Sequence, residues 1–228
     1  TLNGGLPPLL IQEQMWLDET PLMAGLGSWR SGKTAGGALA TARVAFRNPH
    51  RPIYGLDHPF SLIISETKKI LKDSTLREFK RLLPPELILK EWTHPNLRVR
   101  LVNGHDLVFM PWIGRIQGES ACAVWLDEAH LLHGPHGAEE LFTNLQLRAT
   151  DVRALGGGKV IVTGLPLFGW LSERFDQPST DRVSCHLASL ADNFYLDPEV
   201  VDTLRASTTH DEAEATIHGR WRKPKAAI

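Results

Sequence analysis

Short apolar runs alternate along this chain with amphipathic stretches, the rhythm of a domain in which buried strands are separated by helices. Leu22-Met23-Ala24-Gly25-Leu26, Ser61-Leu62-Ile63-Ile64-Ser65, Ala121-Cys122-Ala123-Val124-Trp125-Leu126 and Lys159-Val160-Ile161-Val162-Thr163 are predicted as buried strands, with a fifth over 183–187. Between them the pattern predicts helices. Residues 9–17 can form an amphipathic helix, and 35–46 are Ala-rich and Pro-free. Residues 68–83 place Ile70, Leu71, Leu76, Phe79 and Leu83 among Lys68, Lys69, Lys72, Arg77, Lys80 and Arg81, and Pro84-Pro85 ends that helix. Further helices are predicted over 138–148, 198–206 and 211–218, the second opened by Asp197 as N-cap and Pro198 at N1. Residues 97–102 and 106–110, joined through Asn103-Gly104-His105, form a predicted β-hairpin with a positive-φ turn. Residues 48–59 carry three prolines and a glycine and form a loop.

The junction of the first predicted strand and the second helix carries the first chemical signal. Gly27-Ser28-Trp29-Arg30-Ser31-Gly32-Lys33-Thr34 fits the P-loop pattern of glycine, four residues, then Gly-Lys-Thr. Glycines let the backbone curl around an anion, successive N–H groups point at phosphate oxygens, and the following helix adds its dipole. Lys33 adds a mobile charge, and Thr34 is expected to hold Mg²⁺ through its hydroxyl. The second signal is the strand that ends in Asp127-Glu128. At the C-terminal end of a parallel strand beside the loop, the first carboxylate can reach the Mg²⁺ shell and the second can polarise the attacking water. Asp127 is therefore the expected metal ligand and Glu128 the expected general base, with ATP the nucleotide. Two-part sites of this kind are far more specific than either motif alone.

Other candidates depend on that pair. Gln14 and Gln12 each present a donor and an acceptor that match an edge of adenine; Gln14 is taken as the candidate. Thr163, in Thr163-Gly164-Leu165-Pro166, can hydrogen-bond to the γ-phosphate or the water and report hydrolysis to the downstream segment. His130, His133 and His136 recur at even spacing, but no thiol or acidic partner completes a zinc set, and Gly134-Pro135 interrupts them. The basic face of 68–83 is either a solvated helix surface or a DNA-backbone contact.

Composition narrows the class. The chain has 228 residues, 42% hydrophobic and 22% charged, which fits one sizeable α/β domain with a small appendage. A net charge of −1 gives no global positive field, so contact with nucleic acid has to use local patches. Cys122 and Cys185 are expected to be buried thiols rather than a disulfide framework. No apolar run approaches the ~20 residues that span a bilayer, and a reducing cytoplasm fits. Beginning at Thr1, the chain is expected to be a fragment or a processed form.

The ordered set of signals resembles the ATPase domain of large terminase subunits, the motors of tailed bacteriophages and herpesviruses that pump DNA into a procapsid. The resemblance is carried by the glutamine-bearing N-terminal segment, Arg30 ahead of Ser-Gly-Lys-Thr, the stretch Arg115-Ile116-Gln117-Gly118, Thr-Gly-x-Pro at 163–166, and the path from Asp192-Asn193 to Gly219-Arg220-Trp221. It implies an α/β P-loop NTPase of the additional-strand, catalytic-glutamate type, with a mainly parallel central sheet flanked by helices. A small C-terminal helical lid subdomain comes after the sheet. The core is expected over 1–180 and the lid over 181–228, with the start of a linker to an absent nuclease domain, so DNA cutting is not expected of this fragment. The resemblance implies that Gly27 to Thr34 bind the nucleotide, that Thr163 couples hydrolysis to movement, and that Arg115 takes the place of a finger that reaches a neighbouring subunit's nucleotide. Arg30 is a rival for the finger.

Implied partners are double-stranded DNA, the portal protein and procapsid, the small terminase subunit and further copies of the chain in a pentameric ring. The implied location is the host cell cytoplasm. Two other readings stay open at this level: a helicase-like ATPase fragment, suggested by Asp127-Glu128-Ala129-His130, and a non-catalytic module whose assembly depends on ATP.

Overall fold

The computed structural model describes residues 5–49, 59–94, 97–112, 120–132, 137–149, 158–177 and 180–222, with residues 137–141 described by their helix alone. Arg115 and its neighbours 116–118, His133, His136 and much of the 48–59 loop lie outside the described residues.

Among the described residues, eight strands form one sheet. They are β1 (Leu22–Gly27), β2 (Phe60–Ser65), β3 (Ile88–Trp92), β4 (Leu97–Leu101), β5 (Asp106–Pro111), β6 (Ala123–Leu126), β7 (Lys159–Gly164) and β8 (Val183–Ala188), in the order β3-β4-β5-β2-β6-β7-β1-β8. From β5 to β8 all pairings are parallel, and β4 runs antiparallel to β3 and β5. Strand β7 stands between the loop strand β1 and the acidic strand β6, which is the additional-strand arrangement. Because β1, β6 and β7 are parallel, Gly27, Leu126 and Gly164 all end on one edge of the sheet. A parallel sheet offers its ligand crevice at that edge.

Each face of the sheet carries its own core. On one side, Met23, Ile63, Trp125 and Ile161 pack under α1 (Leu10–Leu17) and α2 (Lys33–Arg47), with Leu71, Phe79 and Leu82 of the segment after β2. On the other, Ala24, Leu62, Val124 and Val162 meet Phe142 and Leu145 of α5 (Gly137–Arg148) and Leu171 and Phe175 of α6 (Trp170–Phe175). Trp125 is wholly buried, and Gly37 of α2 lets the helix come down on it: a Cβ at that position would lie 2.5 Å from the indole.

The helix expected over 68–83 is a composite. It runs as α3 (Lys68–Ile70), a π-helical turn over Leu71–Leu76, and α4 (Arg77–Leu82). The hairpin forms as expected, with Gly104 at φ 83° and its N–H on Leu101 O at 2.9 Å. Buried His105 follows the turn. It donates through Nδ1 to Asn48 O at 2.8 Å and accepts from Ser61 Oγ at Nε2 at 2.9 Å, and burial lowers its pKa from 6.5 to about 4.

The expected boundary between core and lid at 180 falls just ahead of β8 (Val183–Ala188). Strand β8 pairs with β1 along 22–27, and Asp18, ahead of β1, is hydrogen-bonded to Ser184 and lies 2.7 Å from His186 Nε2, so β8 is a core strand. The helical part begins after Ala188, with α7 (Pro198–Ser207) and α8 (His210–Thr216). In α7, Asp197 caps as predicted, accepting from Glu199 N at 2.9 Å. Cys122 is buried and Cys185 half-buried, and burial pushes the Cys185 thiol up to about 12.

Candidate active site

The P-loop joins β1 to α2. Gly32, at φ 87°, is the N-cap of α2 and turns the chain through a backbone conformation that a side chain would strain. Lys33 and Thr34 then occupy the first helical turn, where N–H groups have no intrahelical partner and the dipole favours an anion. The start of the loop is used differently from the expectation. Ser28 N donates to Ala188 O at 2.9 Å and Trp29 N to Thr216 O at 3.0 Å, so these two N–H groups fasten the loop to β8 and α8 rather than facing a phosphate. Arg30 O accepts from Asn193 Nδ2 at 2.5 Å.

Across the cleft, Asp127 follows β6 and is fully buried. Its Oδ1 accepts from Thr163 Oγ1 (2.8 Å), Glu128 N (3.1 Å) and Thr34 Oγ1 (3.3 Å), and its Oδ2 from Thr75 Oγ1 (2.6 Å). Burial and the neighbouring Glu128 charge push its carboxyl up to about 6, against the hydrogen bonds from Thr75 and Thr163 and the charge of Lys33. A buried carboxylate in that condition suits a cation, and a carboxylate beside a hydroxyl is the hard-oxygen set that Mg²⁺ takes together with phosphate oxygens. Thr34 and Asp127 therefore fit the group.

Lys33 Nζ lies 3.3 Å from Ser28 O, to which it donates, and 3.8 Å from Glu128 Oε1. Glu128 adopts φ 52°, ψ 44°. Among the described residues the non-glycine residues with positive φ are Arg30 and Glu128, one on each side of the cleft. Such conformations cost on the order of 1–3 kcal/mol each and cluster at functional sites. His130 Nδ1 accepts from Leu165 N at 3.2 Å and lies 3.4 Å from Glu128 Oε2, so the imidazole sits between the candidate base and the Thr163–Pro166 segment.

These groups face a cavity of about 880 Å³ lined by Trp29, Arg30, Ser31, Gly32, Lys33 and Thr34, by Glu128, and by Gln12, Asn193 and Tyr195. Gly27, Ser28, Asp127 and Thr163 stand behind that lining. Thr163 in particular is buried with its hydroxyl on Asp127 and its oxygen accepting from Trp125 Nε1 at 2.8 Å, so it holds the carboxylate instead of facing the cavity.

The two glutamines considered for adenine are placed differently. Gln12 lines the cavity and Gln14 does not. Two positions along a helix are about 200° apart, so the two side chains leave α1 on opposite sides. Gln12 Oε1 accepts from Leu9 N at 3.1 Å, and its amide nitrogen lies where a Cβ on Gly32 would come within 2.9 Å.

Two residues escaped sequence reasoning. Thr75 is one. The other is Ser65, at the end of β2 beside β6, whose buried hydroxyl has no hydrogen-bond partner among the described residues. A lone threonine in a helix and a serine at a strand end carry no motif. Among the described residues no group of three or more His, Cys, Asp or Glu could hold a metal ion, and no helix is long and apolar enough to cross a membrane.

No protein-family model matches the chain, and no curated protein does. Solved structures do. The large terminase of a thermophilic bacteriophage, in complex with ATP-gamma-S, superposes with a TM-score of 0.73 at 17% identity over 94% of this chain and 53% of that one. The ATPase domain of the Thermus phage P74-26 large terminase gives 0.63 at 14% identity, covering 95% and 94% of the two chains. The HK97 bacteriophage large terminase gives 0.54 at 18% identity over 79% and 39%. The chain thus spans about half the length of the ATP-gamma-S-bound terminase and nearly all of the isolated P74-26 domain. It has the fold of the ATPase domain of bacteriophage large terminases.

Proposed function

We propose that the chain is an ATPase motor domain that couples ATP hydrolysis to translocation of double-stranded viral DNA into a procapsid. The observation that carries this reading is the convergence of Lys33, Thr34, Asp127 and Glu128 at one edge of a sheet with the additional-strand order. The likeness to large terminase ATPase domains supports it, as does the ATP-gamma-S bound to one of those terminases.

In this reading the first turn of α2 and Lys33 Nζ receive the β- and γ-phosphates, and Glu128 accepts a proton from the water that attacks the γ-phosphate in line. Thr34 and Asp127 would hold Mg²⁺, which neutralises charge on the phosphate oxygens when bound. Thr163 fixes Asp127 and leads into Leu165, whose N–H meets His130, so the coupling segment and the candidate base share a neighbour. A finger supplied by a neighbouring subunit, Arg115 or Arg30, completes the charge stabilisation. The partners are then further copies in a pentameric ring, the portal protein, the small terminase subunit and the procapsid, in the host cell cytoplasm.

The test is phosphate release per subunit against chain concentration, with and without duplex DNA. Slow turnover at nanomolar chain that rises with concentration and with DNA is expected. Turnover that is high and flat from nanomolar upward contradicts the supply of a finger in trans.

A further inference from the structure

The inward side of residues 68–82 consists of Leu71, Thr75, Phe79 and Leu82, each at most 2% exposed. Three of the four are apolar and pack into the core; the fourth carries a hydroxyl that packing alone does not need. That hydroxyl donates to Asp127 Oδ2 at 2.6 Å. Among the described residues the other donors on the carboxylate, Thr163 Oγ1, Glu128 N and Thr34 Oγ1, are all on Oδ1. The terminal torsion of an aspartate is soft, so donors on one oxygen leave the carboxylate plane free to turn about that oxygen. A donor on the second oxygen removes the freedom and keeps Oδ1 towards Thr34.

The local backbone fits this task. Thr75 lies in the π-helical turn Leu71–Leu76, a rare geometry that is frequent at functional sites. Its neighbour Ser74 lines the nucleotide cavity, so one turn faces the cleft with one residue and braces the carboxylate behind it with the next. One turn further on, Phe79 packs on Trp125 with centroids 6.4 Å apart, and Trp125 donates to Thr163.

We propose that Thr75 is a positioning residue for the cation site, setting through its bond to Oδ2 the orientation in which Asp127 and Thr34 take Mg²⁺. The inference rests on the proposed role of Asp127 and Thr34 as cation ligands.

The experiment uses the whole chain with Thr75→Val, which keeps the shape and removes the hydroxyl, and Thr75→Ser, which keeps the hydroxyl. Two quantities are read: Mn²⁺ binding to the ATPγS complex by electron paramagnetic resonance, and ATPγS affinity by calorimetry in Mg²⁺ and in EDTA. Thr75→Val is expected to lose on the order of tenfold in Mn²⁺ affinity, the usual effect of removing a residue that orients a metal ligand. Its ATPγS affinity should fall in Mg²⁺ and hold in EDTA, while Thr75→Ser stays near wild type in both. Should Thr75→Val fail to fold, Thr75→Ala carries the same expectations. Wild-type cation dependence in the hydroxyl-free variant overturns the proposal, as does equal loss in Thr75→Ser, which would mark a packing role. A wild-type chain that binds ATPγS equally with and without a divalent cation overturns the ligand reading of Asp127 and Thr34 and this inference with it.

Discussion

Thr163→Val separates holding Asp127 from touching a phosphate. The substitution keeps the volume of a wholly buried side chain, so no cavity term enters. The hydrogen bonds to Trp125 and Asp127 are lost, together with the longer contact of the hydroxyl to Leu126 O at 3.3 Å. The indole N–H of Trp125, now 2.8 Å from Thr163 Oγ1, would be buried without a partner, which costs about 1–3 kcal/mol. The carboxylate of Asp127 loses a donor at 2.8 Å, worth about 1.5–3 kcal/mol for a charged acceptor. Asp127 retains Thr75, Thr34 and Glu128 N, which limits the second loss, so a sum of about 3 kcal/mol is expected. For a domain of this size that corresponds to a fall in Tm of roughly 6–12 °C.

The loss should also depend on pH. The Asp127 pKa is raised in the folded chain, from 3.8 to about 6, so the folded state binds the extra proton between those values and gains stability as pH falls through 6. Removing a hydrogen bond that lowers this pKa raises it further. The variant's deficit therefore shrinks on acidification. Urea denaturation at neutral pH and near pH 5 reads both quantities, and adding Trp125→Phe should cost less than the sum of the single effects, since the orphaned donor goes with the ring. A deficit below about 1 kcal/mol, or one that does not change with pH, would refute the role given to Thr163.

The remaining predictions concern the frame around the site. His105 is held neutral with a pKa of about 4 against 6.5 unfolded, so the unfolded chain takes up the proton first and the contribution of His105 to stability falls as pH drops from 6.5 to 4, by about 3 kcal/mol in all; because Asp127 titrates with the opposite sign in the same range, the quantity read by chemical denaturation is the difference between wild type and His105→Asn, which should shift against the wild type by that amount on acidification. Gly37→Ala sets a methyl 2.5 Å from the rigid Trp125 ring and is expected to cost about 1–3 kcal/mol by overpacking, read as a lower urea midpoint with unchanged slope.

What the residues alone disclose depends on where the information lies. The P-loop and the Asp127-Glu128 strand end are local patterns that each use backbone and side chain within a few residues, so loop, strand and helix stand where the spacing puts them. Gln12 and Gln14 satisfy the same chemistry, and only the rotation of α1 against the loop separates them. Strand β8 reads as part of the lid because its membership of the core depends on pairing with β1, more than 150 residues away in sequence. Strand β3, Ile-Leu-Lys-Glu-Trp, is mostly exposed at the sheet edge and lacks the apolar run that marks the buried strands. Thr75 and the π turn reach Asp127 across 52 positions, and no periodicity announces such a contact.

Glu128→Gln tests the central claim most directly, because it keeps the shape of the residue 3.8 Å from Lys33 and removes its ability to take a proton. Measured side by side, ATPγS binding should be retained and phosphate release should fall by at least about 100-fold, the usual worth of a positioned general base. Phosphate release within a few-fold of wild type, with nucleotide binding intact, would contradict the account.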